Sequence, residues 1–99
     1  MKVESSPKKC IIWKVEISSK AKKKLTKFPY YLKDKLIVWM EAVESEGLEQ
    51  TQKIRGYRDE ALTGNRKGQR SIRLNRAYRA IYIVKDKKIL IEEVNKHDY

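Results

Sequence analysis

The chain of 99 residues holds a single cysteine, Cys10, a single histidine, His97, one phenylalanine and two prolines. One cysteine cannot close an internal disulfide, and one Cys with one His cannot build a zinc site. A disulfide-stapled secreted scaffold and a structural zinc module are therefore excluded, and the composition suits a reducing compartment. No apolar run approaches the roughly 20 residues of a membrane-spanning helix, and the start shows no apolar core of a secretory signal. The expected location is cytoplasmic, with no membrane partner. Glycine-rich phosphate loops are missing too: Gly64 and Gly68 do not follow a strand in dinucleotide-binding order. No Ser-His-Asp set can be argued, and nothing around Cys10 activates its thiol.

Acid is the other shortage. Against 24 Lys and Arg stand 13 Asp and Glu, a net charge of +11. A surplus of that size on one small domain makes a field that gathers polyanions and speeds their capture. Nucleic acid is the first candidate partner, because neutralising phosphates releases counterions. An acidic protein is the second. A merely solubilising surface is the plain alternative.

Apolar periodicity places the elements. Residues 1–9, polar and containing Pro7, read as a flexible tail ahead of a single domain over 10–99. In 10–18, Trp13, Val15 and Ile17 alternate with Lys14 and Glu16, the period of a strand with one buried face. Ser18 and Ser19 offer an N-cap to a helix over 20–28, with Ala21, Leu25 and Phe28 at helical spacing and lysines around them. Pro29 ends it, and a second helix spans 30–46 on Leu32, Leu36, Trp39, Met40 and Val43 until Gly47. Residues 48–68 show no clear period, and so long an irregular stretch is often functional. Strands follow over 70–74, 78–84 and 89–94, joined by short turns as an antiparallel meander. The string is β-α-α-β-β-β: an α+β domain whose antiparallel sheet carries a two-helix hairpin on one face.

The chemistry-bearing series is Arg66, Lys67, Arg70, Arg73, Arg76 and Arg79, followed by a terminal His97-Asp98-Tyr99. Strand alternation lets Ile72 and Leu74 face the helices while Arg73 faces away, so the helix-free face can carry guanidinium groups. Arginine suits phosphate because its planar fork donates two bonds and keeps its charge. An exposed sheet face also needs polar residues of some kind, so the pattern alone leaves both readings open. His97 has the side chain whose ordinary pKa, about 6.5, suits proton transfer at neutral pH. Tyr99 can pack on the sheet or stack on a base.

The stretch Leu62-Thr-Gly-Asn-Arg-Lys-Gly-Gln-Arg-Ser-Ile-Arg-Leu-Asn-Arg-Ala-Tyr-Arg79 resembles the signature of HigB-type toxins in the RelE/ParE superfamily. The matching parts are Gly64, Arg66 and Gly68, then Ser71 to Asn75, then Tyr78-Arg79; the ending Glu93 to Tyr99 is similar to the family's terminal strand. The resemblance covers roughly residues 11–99 and carries the same element order. It implies the toxin of a type II toxin–antitoxin system, a metal-independent endoribonuclease (an mRNA interferase) that cuts messenger RNA on the ribosome, without a cofactor. A ribose 2′-hydroxyl would attack the adjacent phosphate and leave a 2′,3′-cyclic phosphate. Carried over by motif, Arg73 resembles the strand arginine that binds phosphate, His97 the terminal acid or base, and Tyr99 the terminal tyrosine that stacks on or orients substrate. Lys53, Arg66, Arg70 and Arg79 would hold RNA phosphates, and Asp98 could orient His97. Thr63 stands where HigB proteins often carry Lys, and Lys53 or Glu60 remain as bases. The implied partners are mRNA, the ribosome and a cognate antitoxin, either a helix-turn-helix protein or one with an acidic tail. The alternatives are a non-catalytic inhibitor of DNA gyrase like the ParE toxins, and a basic module that only binds RNA or the ribosome.

Overall fold

A computed structural model describes residues 12–96. The expected tail over 1–9, Cys10, and the terminal His97, Asp98 and Tyr99 lie outside the described residues.

The first strand, β1 (Lys14–Ile17), buries Val15 and half-buries Ile17, with Trp13 half-buried just before it, as the alternation requires. It is a sheet edge, and its outward Val15 N–H donates to the Glu44 carboxylate at 3.1 Å, so the edge is capped from the helical layer. Ser18 then caps α1 (Ser19–Leu25), its Oγ accepting from the Ala21 N–H at 3.0 Å. Lys22, Lys23 and Lys24 crowd the last turn of α1, where the helix dipole favours cations. This helix stops at Leu25, one turn before the expected end; Phe28 leaves it and packs edge-on against Tyr78, with ring centroids 4.6 Å apart.

The second helix, α2 (Tyr30–Glu46), has the expected bounds and buries Leu32, Leu36, Trp39 and Val43 along one stripe. Gly47 ends it at φ 89°, with its N–H on the Val43 carbonyl at 2.8 Å. A Cβ at Gly47 would sit 3.3 Å from the Trp13 indole nitrogen, so the turn also needs the missing side chain.

The segment without a period contains short elements: α3 (Leu48–Gln52), a 3₁₀ turn at Arg55–Tyr57, β2 (Glu60–Ala61) and a second 3₁₀ turn at Gly64–Arg66. Each is too short to repeat a pattern. Three strands complete the sheet: β3 (Arg70–Arg73), β4 (Tyr78–Lys85) and β5 (Lys88–Lys96). Asn75 shapes the β3–β4 turn, its Oδ1 accepting from the N–H groups of Ala77 and Tyr78 at 2.8 Å each.

The strand order is β1-β5-β4-β3-β2. The meander from β3 to β5 is antiparallel as expected and β2 extends it, but β1 pairs with β5 in parallel, so the sheet is mixed rather than wholly antiparallel. The reason is the connection. Helices carry the chain from β1 across to the far edge, and the meander walks back until β5 reaches β1 running the same way. An extra residue bulges from β5, since Ile81 faces Glu93 while Tyr82 faces Ile91. The bulge resets the alternation, which allows Ile91 and Val94, three residues apart, both to be fully buried.

The core lies between the sheet and the helices. Leu32, Leu36, Trp39 and Val43 meet Ile72, Leu74, Ala80, Tyr82, Ile89, Ile91 and Val94. Among the described residues no helix is long and apolar enough to cross a membrane.

Candidate nucleic-acid interface

Alternation and register assign the helix-free face of the sheet. With Ile72, Ala80, Tyr82, Ile91 and Val94 in the core, their neighbours Ser71, Arg73, Arg79, Ile81, Glu93 and Asn95 point the other way. Ser71 and Ile81 are nevertheless buried, at 4% and 5% exposure. They form the buried floor of the open face.

Beside that floor runs one cross-strand row. Arg73 on β3 is opposite Arg79 on β4, and Arg79 is opposite Asn95 on β5. The Leu74 N–H bonds the Tyr78 carbonyl at 2.8 Å, so the arginine pair one step inward sits at a non-hydrogen-bonded site, where Cα atoms approach to about 4.5 Å. Like charges directly opposite one another destabilise a sheet. Both arginines are half-buried, and among the described residues neither is ion-paired. The fold thus sets two arginines opposite each other with no ion-pair partner among the described residues. At the far end of the row, Lys24 of α1 donates to Asn95 Oδ1 at 3.0 Å, which adds a third cation.

Asn95 also donates to Glu93 at 3.2 Å, and Arg66 grips Glu93 through both terminal nitrogens at 3.2 and 3.3 Å. The Arg66 and Asn95 hydrogen bonds hold the Glu93 carboxyl below its ordinary value. Gln69 links the same segment to the bulge residue Glu92 at 2.7 Å. These contacts fasten the loop of the Gly64–Arg66 turn to β5.

The expected phosphate ligands are therefore separated. Arg73 and Arg79 stand together on the open face. Arg66 lies against Glu93, exposed. Arg70 shares the core side with Ile72 and forms an ion pair with Asp59, Nε to Oδ1 at 2.6 Å. The Tyr82 hydroxyl donates to the other Asp59 oxygen, and burial first, then that bond, raises the Tyr82 pKa well above its ordinary value. Against the cost of burial, Asp59 holds the Arg70 guanidinium above its ordinary value as well. Lys53 is exposed at the end of α3, whose Leu48 packs in the helical layer. Glu60 lies opposite Ser71 on the open face. His97 and Tyr99 lie outside the described residues. Lys24, Glu93 and Asn95 were not anticipated. They share no motif, and only pairing brings them beside Arg79. Among the described residues no cluster of His, Cys, Asp and Glu has the make-up of a metal site.

Residues 15–98 match the model of the ParE toxin of type II toxin–antitoxin systems. The chain belongs to the ParE toxin family. No curated protein matches it in sequence. Solved toxins of the superfamily share its fold. In the Escherichia coli DinJ–YafQ toxin–antitoxin complex the similar chain is 25% identical with TM-score 0.69, over 88% of this chain and 94% of that one. In the archaeal RelE–RelB complex from Pyrococcus horikoshii OT3 the values are 23% and 0.68, over 86% and 94%. The YoeB dimer from Staphylococcus aureus is 22% identical with TM-score 0.64, over 88% and 98%. This ParE-family chain is thus a RelE-like α+β toxin domain.

Proposed function

We propose that this toxin is an endoribonuclease that cleaves messenger RNA at the Arg73–Arg79 pair on the open face. The observation that carries the reading is the Arg73–Arg79 pair: two half-buried arginines set opposite each other at one cross-strand position, a cost that a phosphate bound between them removes.

The reaction assigned to the site is transesterification. The ribose 2′-oxygen attacks the adjacent phosphorus and gives up its proton to a base. The bond from phosphorus to the 5′-oxygen breaks, a 2′,3′-cyclic phosphate remains, and the departing oxygen takes a proton. Charge gathers on the non-bridging oxygens in the transition state, where preorganised guanidinium donors stabilise it. Arg73 and Arg79 take that role, and Lys24 extends the positive field through Asn95. In this scheme His97 moves a proton and Tyr99 orients or stacks on a base. The scheme assigns charge neutralisation to side chains and calls for no cofactor. The ribosome is the setting in which mRNA is presented, and a cognate antitoxin silences the toxin by covering or filling this basic face. The DinJ–YafQ and RelE–RelB complexes are such pairs for those toxins.

The family description favours a second reading, a ParE-like toxin that arrests growth by binding DNA gyrase without cutting RNA. One experiment separates them: tightly controlled expression with mapping of mRNA 5′ ends by primer extension, for wild type, Arg73→Ala and His97→Ala. New ends within translated frames, weakened at least tenfold in both variants, are expected. Arrest without new ends would select the gyrase reading.

A further inference from the structure

The open face has a second cationic row at its opposite end. Lys14 on β1 is opposite Lys88 on β5, and Lys88 is opposite Lys85 on β4. Three lysines therefore stand side by side across three strands, all exposed. Lys85 is six residues beyond Arg79 on the same strand and shares its face, about 20 Å away at about 3.3 Å per residue. Among the described residues none of the three is ion-paired. The row borders a hollow of about 580 Å³ lined by Ile12, Lys14, Lys85, Asp86, Lys87 and Lys88. Lys87 turns aside, its ammonium 4.8 Å from the centre of the Trp13 ring.

Adjacent like charges weaken strand pairing, and here they do so twice in one row. Protection of a sheet edge explains a lysine on β1. It does not explain Lys88, because β5 is paired on both sides. Nearby acid is sparse: Asp86 sits in the β4–β5 turn, and Glu16 lies one row inward, opposite Leu90. A chain of regularly spaced anions would relieve the repulsion. Between the two cationic rows the open face offers the half-buried Ile83 and Leu90, apolar ground suited to bases rather than phosphates.

We propose that Lys14, Lys88 and Lys85 form a second phosphate-backbone site, which holds the same RNA strand about 20 Å from the Arg73–Arg79 pair. The proposal rests on the endoribonuclease reading for its ligand. It assigns the lysines to affinity and the arginines to chemistry: compact ammonium charges on flexible stems hold a backbone without demanding one geometry.

The test uses the full chain and 2′-O-methyl RNA, whose blocked 2′-oxygen cannot attack. The probes are a strand of about twelve nucleotides, which can reach both rows, and a dinucleotide, which cannot. Binding is measured against salt for wild type, the triple variant Lys14→Gln/Lys85→Gln/Lys88→Gln, and Arg73→Gln, with thermal melts to verify folding. Each single-strand phosphate contact contributes about 0.7 to the slope of log K against log salt, so losing three lowers it by about 2. Between 50 and 200 mM salt the triple variant should then lose about 20-fold less affinity for the long strand than wild type does. Its binding of the dinucleotide should be unchanged, whereas Arg73→Gln should weaken both probes. An unchanged slope in a folded triple variant overturns the second site and leaves the endoribonuclease reading standing. Absence of salt-dependent RNA binding by wild type overturns both. Loss of polyglutamate binding in the triple variant, with RNA binding intact, overturns the proposal in favour of an acidic protein partner.

Discussion

Replacing Arg70 by methionine should damage the fold far more than the chemistry. Asp59 is 1% exposed in its side chain, and Arg70 is 33% exposed. Removal of Arg70 strands a carboxylate in the interior with the Tyr82 hydroxyl as its remaining side-chain donor. Breaking a buried pair from one side typically costs 3–5 kcal/mol, and the partial exposure of Arg70 places this case at about 3 kcal/mol. Asp59→Asn should cost less, about 1–2 kcal/mol, because the released guanidinium can turn to water and Tyr82 keeps an acceptor. The double variant should be more stable than Arg70→Met alone, since no buried charge is left over, with a coupling of about 2 kcal/mol. For a domain of this size about 3 kcal/mol corresponds to a fall in Tm of roughly 12–24 °C. Urea and thermal melts of the four proteins at neutral pH give the cycle. RNA affinity per folded molecule should stay within about twofold of wild type, a difference below about 0.5 kcal/mol. The reasoning is refuted if Arg70→Met melts like wild type while losing RNA affinity, which would make Arg70 a phosphate ligand instead.

Two further effects follow from the same geometry. Glu93 titrates below its ordinary 4.5 in the folded chain, chiefly through Arg66, so its contribution is complete above that value and disappears as pH falls through the lower folded value. The pair lies at the surface with Arg66 in solvent, so the loss is small, about 0.2–1 kcal/mol, and denaturant melts between neutral and acid pH should show a shallower decline for Glu93→Gln. Gly47→Ala forces a Cβ into a left-handed turn and against the Trp13 indole, and a loss of about 1–2 kcal/mol in urea melts is expected; a neutral result would mean the turn relaxes.

Much of the architecture was legible along the chain because local rules decide it. The 3.6-residue stripe from Leu32 to Val43, the stop at Gly47, the Ser18 cap and the alternation in the last three strands each depend on near neighbours. The motif around Ser71 to Asn75 was legible too, although its parts do different work: Arg73 faces out, Ile72 fills the core and Asn75 builds a turn. Short elements such as α3 and β2 escaped because five or two residues hold no period.

By itself, the sequence determined the charge, the element order and which side chains avoid water, since these follow from composition and from periodicity within one segment. Pairing was decided in three dimensions. The parallel contact of β1 with β5 arises from a connection that crosses the sheet, and the bulge at Glu92 determines which face later residues occupy. The parallel pairing brings Lys14 to Lys88, the bulge sets the face on which Asn95 meets Lys24, and the β3–β4 register sets Arg73 against Arg79. Cross-strand register links residues far apart in the chain, and a one-residue change in it moves a side chain to the other face. No local pattern encodes that, so tertiary structure alone decided which of the many basic residues meet.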